Sequence, residues 1–195
     1  MIRRRGMLIG IAALLVVSGL VALYLSYTRP IGLPPTGETL PPQCQISEAL
    51  KREAHVSNPA LMAQPDPSRR ELVRHTHCFW RQTTDRDGAD RRLLGIHVYD
   101  HGDSPNPRMA AESTYNDQRQ PHEREVTGLG DRASVAQAEP DDNMQVTLLV
   151  LRDTRVYKVI YRGADRGFLF DRPYPVEEGE RITKQVVAEL MGAQK

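Results

Sequence analysis

Residues 144–162 read MQVTLLVLRDTRVYKVIYR, and this stretch decides the fold. Met144 to Leu151 and Val156 to Arg162 alternate like strands around the polar turn Arg152-Asp-Thr-Arg155. Pairing them antiparallel so that residue numbers sum to 307 sets Val146 against Tyr161, Leu148 against Val159 and Val150 against Tyr157. The opposite face still carries Leu149, Leu151, Val156 and Ile160. A strand pair that is apolar on both faces must be covered on both faces. The sequence therefore predicts a sheet lying between helices.

Upstream, Leu72–Gln82 and Leu93–Tyr99 form a second hairpin across the turn-rich TTDRDGADR. A sum of 174 sets Trp80 opposite Leu94, Cys78 opposite Ile96 and Thr76 opposite Val98. Ser47–His55 reads as a short helix. A second helix starts at Asn106–Pro107, with Asn as N-cap and Pro in the first turn, and ends near Arg119, before Pro121. Asn58–Pro67 reads as a loop, and Val126–Val135 as a Gly-bounded turn between two short strands. The last helix runs from about Val176 to Met191. Ile182, Val186, Val187 and Leu190 form its buried stripe, and Glu177 and Glu178 suit the positive end of its dipole. The predicted class is α+β: an antiparallel sheet of about six strands packed between helices, preceded by one transmembrane helix.

That helix is Met7–Tyr27, MLIGIAALLVVSGLVALYLSY, 21 residues without a charge. As a helix it spans about 31 Å, matching a hydrocarbon core of roughly 30 Å. Arg3, Arg4 and Arg5 precede it, which keeps the tail (1–6) cytoplasmic and exports the remainder. The segment ends in Leu23-Tyr-Leu-Ser-Tyr27, without the small residues of a cleavage site, and the first Cys is well beyond it at Cys44. A retained signal-anchor is expected rather than a signal peptide or lipid anchor. Residues 28–43 are a Pro-rich linker: five of the fifteen residues from Arg29 to Gln43 are Pro. Such a segment is extended, and reaches up to about 45 Å at about 3.1 Å per residue. Residues 44–195 form the extracytoplasmic domain. From Thr28 onward there are 23 basic and 25 acidic residues, a balance of −2 that does not suit nucleic acid.

The two cysteines, Cys44 and Cys78, fall on the exported side, where an even pair is most simply a disulfide. Closing that loop is worth about 3–4 kcal/mol in the chain-entropy model.

Cys44 beside a short helix, Cys78-Phe-Trp80 on a strand, Val126-Thr-Gly-Leu-Gly-Asp-Arg-Ala133, a Val-rich hairpin and a terminal helix together resemble actinobacterial exported domains of unknown function. Many of these are lipid- or signal-anchored, and they are similar to the PsbP-like α/β/α sandwich. The resemblance implies a Cys–Cys bridge and that layered fold, and carries over no catalytic residue. This chain departs from the pattern in having a transmembrane segment and no lipobox.

Few residues suggest chemistry. His75 and His77 share a strand face, and the register puts His77 opposite His97 and Tyr99 opposite His75. Three clustered imidazoles are the donor type that holds Zn²⁺ or Cu²⁺. A covered or solvated face that happens to hold His is the plainer alternative. His101 and His122 read as surface loop residues. Trp80, Tyr157 and Tyr161 are pocket candidates, or simply core. Gly128-Leu-Gly130 lacks the third Gly and the Lys of a phosphate loop, and no Gly-x-Ser-x-Gly elbow occurs. The pairs Glu177–Glu178 and Asp141–Asp142 read as solvated charges. The expectation is a single-pass, non-enzymatic module without cofactor, acting on another membrane or envelope protein or an envelope ligand. A small-ligand sensor is the alternative, and a metal-dependent envelope enzyme ranks behind both.

Overall fold

The computed structural model describes residues 14–21, 24, 32–61, 73–84, 86–88, 90–140, 143–167 and 170–192. The chain divides into two compact units, Met1–Pro30 and Ile31–Lys195. In the first, residues 14–21 and 24 are helical and exposed. Most of the expected span 7–27 lies outside the described residues, and among those described no helix is long and apolar enough to cross a membrane.

The second unit is α+β. Among its described residues the strands are β1 (Asn58–Leu61), β2 (Arg74–Arg81), β3 (Arg91–Asp100), β4 (Arg124–Glu125), β5 (Arg132–Ala138), β6 (Met144–Arg152), β7 (Arg155–Asp165) and β8 (Arg172–Pro173). They form one sheet in the order β1-β2-β3-β7-β6-β5-β4, with β8 paired to β7. All pairings are antiparallel. The helices are α1 (Glu48–Glu53), α2 (Pro107–Asp117) and α3 (Val176–Gly192).

Both predicted registers hold. Val146 faces Tyr161, Leu148 faces Val159 and Val150 faces Tyr157. Trp80 faces Leu94, Cys78 faces Ile96 and Thr76 faces Val98. The period of two rules out a one-residue slip, which would turn these side chains to the opposite face. The sheet has eight strands rather than six because β1 and β8 are short and carry Pro59 and Pro173. Asn58–Leu61, expected as loop, is a sheet edge, one of the few strand positions that tolerate Pro. The rest of that expected loop, residues 62–67, lies outside the described residues, as do Leu72 at the expected start of β2 and Asp141–Asp142.

The sheet has a helical layer on each side. On one side α3 buries Ile182, Val186, Val187 and Leu190 against Val146, Leu148, Val159 and Tyr161, and all eight are fully buried. Leu50 of α1 joins this core. Ser47 caps α1 by accepting from the Leu50 amide, and its hydroxyl donates to Glu189 of α3 at 2.6 Å. Cys44 and Cys78 are bonded, as expected, with Cα atoms 6.2 Å apart. The disulfide fastens the turn before α1 onto β2, and the Trp80 indole N–H donates to the Cys44 carbonyl at 3.0 Å. Arg92, 6% exposed, donates to the Ala164 carbonyl at 2.7 Å and pairs with Asp165 and Glu178, which joins β3 and β7 to the first turn of α3.

On the other side α2 packs Ala111 and Tyr115 onto Leu149, Leu151 and Val156, with Tyr99 at the margin. Asn106 precedes α2 as expected, but its side chain makes no capping hydrogen bond. Gly130 has φ +61°, and a Cβ there would strike the Leu151 carbonyl oxygen. The Gly128–Gly130 segment is a turn held against β6.

The Pro-rich segment differs from expectation. Residues 32–43 are not a free spacer, and the compact unit begins at Ile31 rather than at Cys44. Leu33 bridges to Thr83, the Thr36 amide donates to Asn58 Oδ1 at 3.0 Å, and Asn58 Nδ2 donates to the Pro34 carbonyl at 2.9 Å. The Leu61 amide donates to Glu38 at 2.8 Å, and Leu40 is buried in the core. These contacts occupy outward-facing polar groups of the β1 edge, which would otherwise be open to pairing with another strand.

Candidate functional site

The period of two divides β2, β3 and β7 into opposite rows. Cys78, Trp80, Leu94, Ile96, Val98, Tyr157, Val159 and Tyr161 point under α3. The alternate residues point to the other side: His75, His77 and Phe79 from β2, Gly95, His97 and Tyr99 from β3, and Val156, Lys158 and Ile160 from β7. Helix α2 covers the β6–β7 half of this face and reaches β3 at Tyr99. His75, His77, Phe79 and His97 remain half-buried.

The expected imidazole cluster exists. His77 lies opposite His97 and His75 opposite Tyr99. The rings of His77 and His97 stack at 3.7 Å between centroids, and those of His75 and Tyr99 at 4.2 Å. His75 Nε2 and His97 Nδ1 are 3.2 Å apart, a hydrogen bond that needs one ring to donate and the other to accept. Phe79 continues the row, 4.4 Å from His77. Lys158 stands beside His97 on β7 and donates to Gln118 at 3.0 Å.

This environment disfavours the charged forms of His77 and His97. Burial, then the neighbouring His77, His75 and Lys158, pushes His97 down to about 3. Burial, then His75 and Lys158, also lowers His77. Burial lowers the Lys158 ammonium as well. Stacked rings direct their nitrogens along the ring planes rather than toward one shared point. Among the described residues no group of three or more His, Cys, Asp or Glu side chains is placed to hold a metal ion.

The other candidates are placed elsewhere. Trp80, Tyr157 and Tyr161 lie in the α3-side core, each at most 5% exposed. The Tyr161 hydroxyl donates to the Ala54 carbonyl at 3.2 Å. His122 is exposed, as expected. His101 is not the surface residue its loop position suggested: it is 1% exposed, and neither ring nitrogen has a hydrogen-bond partner among the described residues. The His101 amide donates to the Thr154 carbonyl at 3.0 Å, which ties this loop to the β6–β7 turn. A neighbouring Asp100–Arg155 ion pair of 3.0 Å marks the same junction, but nothing local in the sequence signals that His101 itself is enclosed.

No family model matches the chain, and no curated protein is similar to it. Among solved structures, the extracellular domain of PknH from Mycobacterium tuberculosis aligns at 9% identity with a TM-score of 0.39, over 82% of this chain and 98% of that one. A likeness so distant carries no argument about the fold or function of this chain.

Proposed function

We propose that this chain is a membrane-anchored, extracytoplasmic binding or accessory module, non-enzymatic, that engages another envelope protein through the half-open imidazole face of its sheet. Export is supported by the charge-free segment 7–27 behind three arginines, and by the Cys44–Cys78 disulfide, which suits an oxidising compartment.

The row His75, His77, Phe79, His97 and Tyr99 carries the binding reading. It is aromatic and half-buried, with Arg81 at its end, 5.9 Å from the Phe79 ring. Aromatic and Arg side chains are enriched at protein interfaces, where a large flat ring gains contact area at little cost in conformational entropy. Burial disfavours the charged forms of His77 and His97, which lowers the cost of covering them.

The test is co-purification of the full chain from gently solubilised membranes, beside a variant with His75→Ala, His77→Ala and His97→Ala. A specific partner should accompany the wild type and be lost from a correctly folded variant. Recovery of the chain alone in several detergents, or a partner retained by the variant, counts against this reading.

A further inference from the structure

Helix α2 fills only part of its side of the sheet. Its apolar contacts are with Leu149, Leu151 and Val156, and they reach β3 at Tyr99. From Tyr99 the outward row of β3 continues to Leu93, a further run of about 20 Å at about 3.4 Å per residue. A helix with its side chains is about 10–12 Å across. With α2 at one end, the strip left at the other is about one helix wide. Phe79, Leu93, His97 and Ile160 on that strip are half-buried rather than sealed.

The strip has an apolar floor and a basic rim. Phe79 pairs with Gly95 and Gly95 with Ile160, so the three stand side by side across β2, β3 and β7. A Cβ added at Gly95 would lie 3.5 Å from the Phe79 ring, so the ring lies across the glycine and levels the floor. Every second residue of 75–81, 93–99 and 156–162 shares this face. Those positions hold the cations Arg81, Lys158 and Arg162 and no carboxylate. Arg81, one step along β2 from Phe79, is exposed; Lys158, one step back along β7 from Ile160, donates to Gln118 of α2. The two cations thus flank the floor diagonally, and neither meets a carboxylate among the described residues.

We infer that this strip docks an amphipathic helix of the envelope partner, with an apolar stripe on Phe79 and Ile160 and carboxylates on its flanks against Arg81 and Lys158. The inference rests on the binding role proposed for this face, and adds the chemistry of the segment that binds there. Three strands about 4.8 Å apart span about 14 Å, which at 1.5 Å per residue gives a contact of two to three helical turns. Such a helix lies beside α2 and completes the helical layer on this side. Apolar anchors at i, i+3, i+4 and i+7 fill the floor, and opposite charges at the rim fix the orientation.

The test uses the full chain in its own membranes, with a benzophenone amino acid in place of Phe79. The expected result is a discrete adduct whose crosslinked peptide, read by mass spectrometry, has apolar residues at helical spacing flanked by Asp or Glu. Arg81→Glu, at an exposed position, should cut the adduct yield at least fivefold, while Arg81→Lys should keep it. A crosslinked peptide without flanking carboxylates, a peptide from a second copy of this chain, or a yield unchanged by Arg81→Glu would each overturn the inference. An adduct from position 75 that persists in Arg81→Glu would leave the partner reading standing and remove the acidic helix. No adduct from either position would remove both.

Discussion

The two faces of the central sheet are made by the same strands and differ in almost every physical respect. Beneath α3 the side chains are aliphatic or aromatic, fully enclosed and stapled by the Cys44–Cys78 disulfide. Beneath α2 the enclosure is partial: Leu149, Leu151 and Val156 are sealed, while His75, His77, Phe79 and His97 stay half-buried beside them. Alternation along a strand separates these roles residue by residue, so one face can carry stability while the other stays available for contact. Cys78 and His77 are neighbours in sequence yet belong to opposite faces.

Substitutions that strike the α3 side should cost most. Leu148 is fully buried, and Leu148→Ala should destabilise the domain by about 4 kcal/mol, read from the midpoint of chemical denaturation. A loss under about 1 kcal/mol would erase the contrast between the faces. Removing the disulfide with Cys44→Ser and Cys78→Ser should cost about 3 kcal/mol, and reductant should have a similar effect on the wild type and none on the variant.

The imidazole face should show itself through pH. In the unfolded chain each histidine has a pKa near 6.5, above its folded value at His77, His97 and His101. Below about pH 6.5 the unfolded state takes up protons that the folded state refuses, so stability falls with pH, by up to about 1.4 kcal/mol per pH unit for each such group. For His97 the loss continues toward about pH 3. Between about pH 6.5 and 5.5, above the range where the lowered carboxylates Glu48, Asp100 and Glu180 begin to contribute, denaturation midpoints should drop steadily. His97→Gln should flatten that slope, and an unchanged slope would mean that His97 is not held neutral by its surroundings. His75→Ala should have the smallest effect, within about 1 kcal/mol at pH 7, because the ring is only half-buried. A loss matching that of Leu148→Ala would make this row core rather than surface.

The sequence spoke clearly wherever a local period met a single way to bury it. The two hairpin registers, the Cys44–Cys78 pair and the apolar stripe of α3 follow from alternation, compartment and helical spacing. What it left unstated depends on contacts distant in the chain. Four residues with a proline gave β1 no period to read. Thr36 and Glu38 look like linker residues until Asn58 and Leu61 are brought to them. His101 sits in a turn-rich stretch, and its amide donates to the Thr154 carbonyl, a contact distant in the chain. For the candidate site, register alone brought His77 to His97 and His75 to Tyr99. How much of that face α2 would cover depends on packing between elements, which no periodicity encodes.

The most direct test of the account is site-specific photo-crosslinking of the full chain in its own membranes. A benzophenone amino acid is placed at position 75 on the imidazole face, or at position 185 on the outer side of α3, where Gln185 is exposed. The account predicts a discrete crosslinked adduct from position 75 and none from position 185. Adducts from position 185 alone, equal adducts from both, or none from either would contradict it.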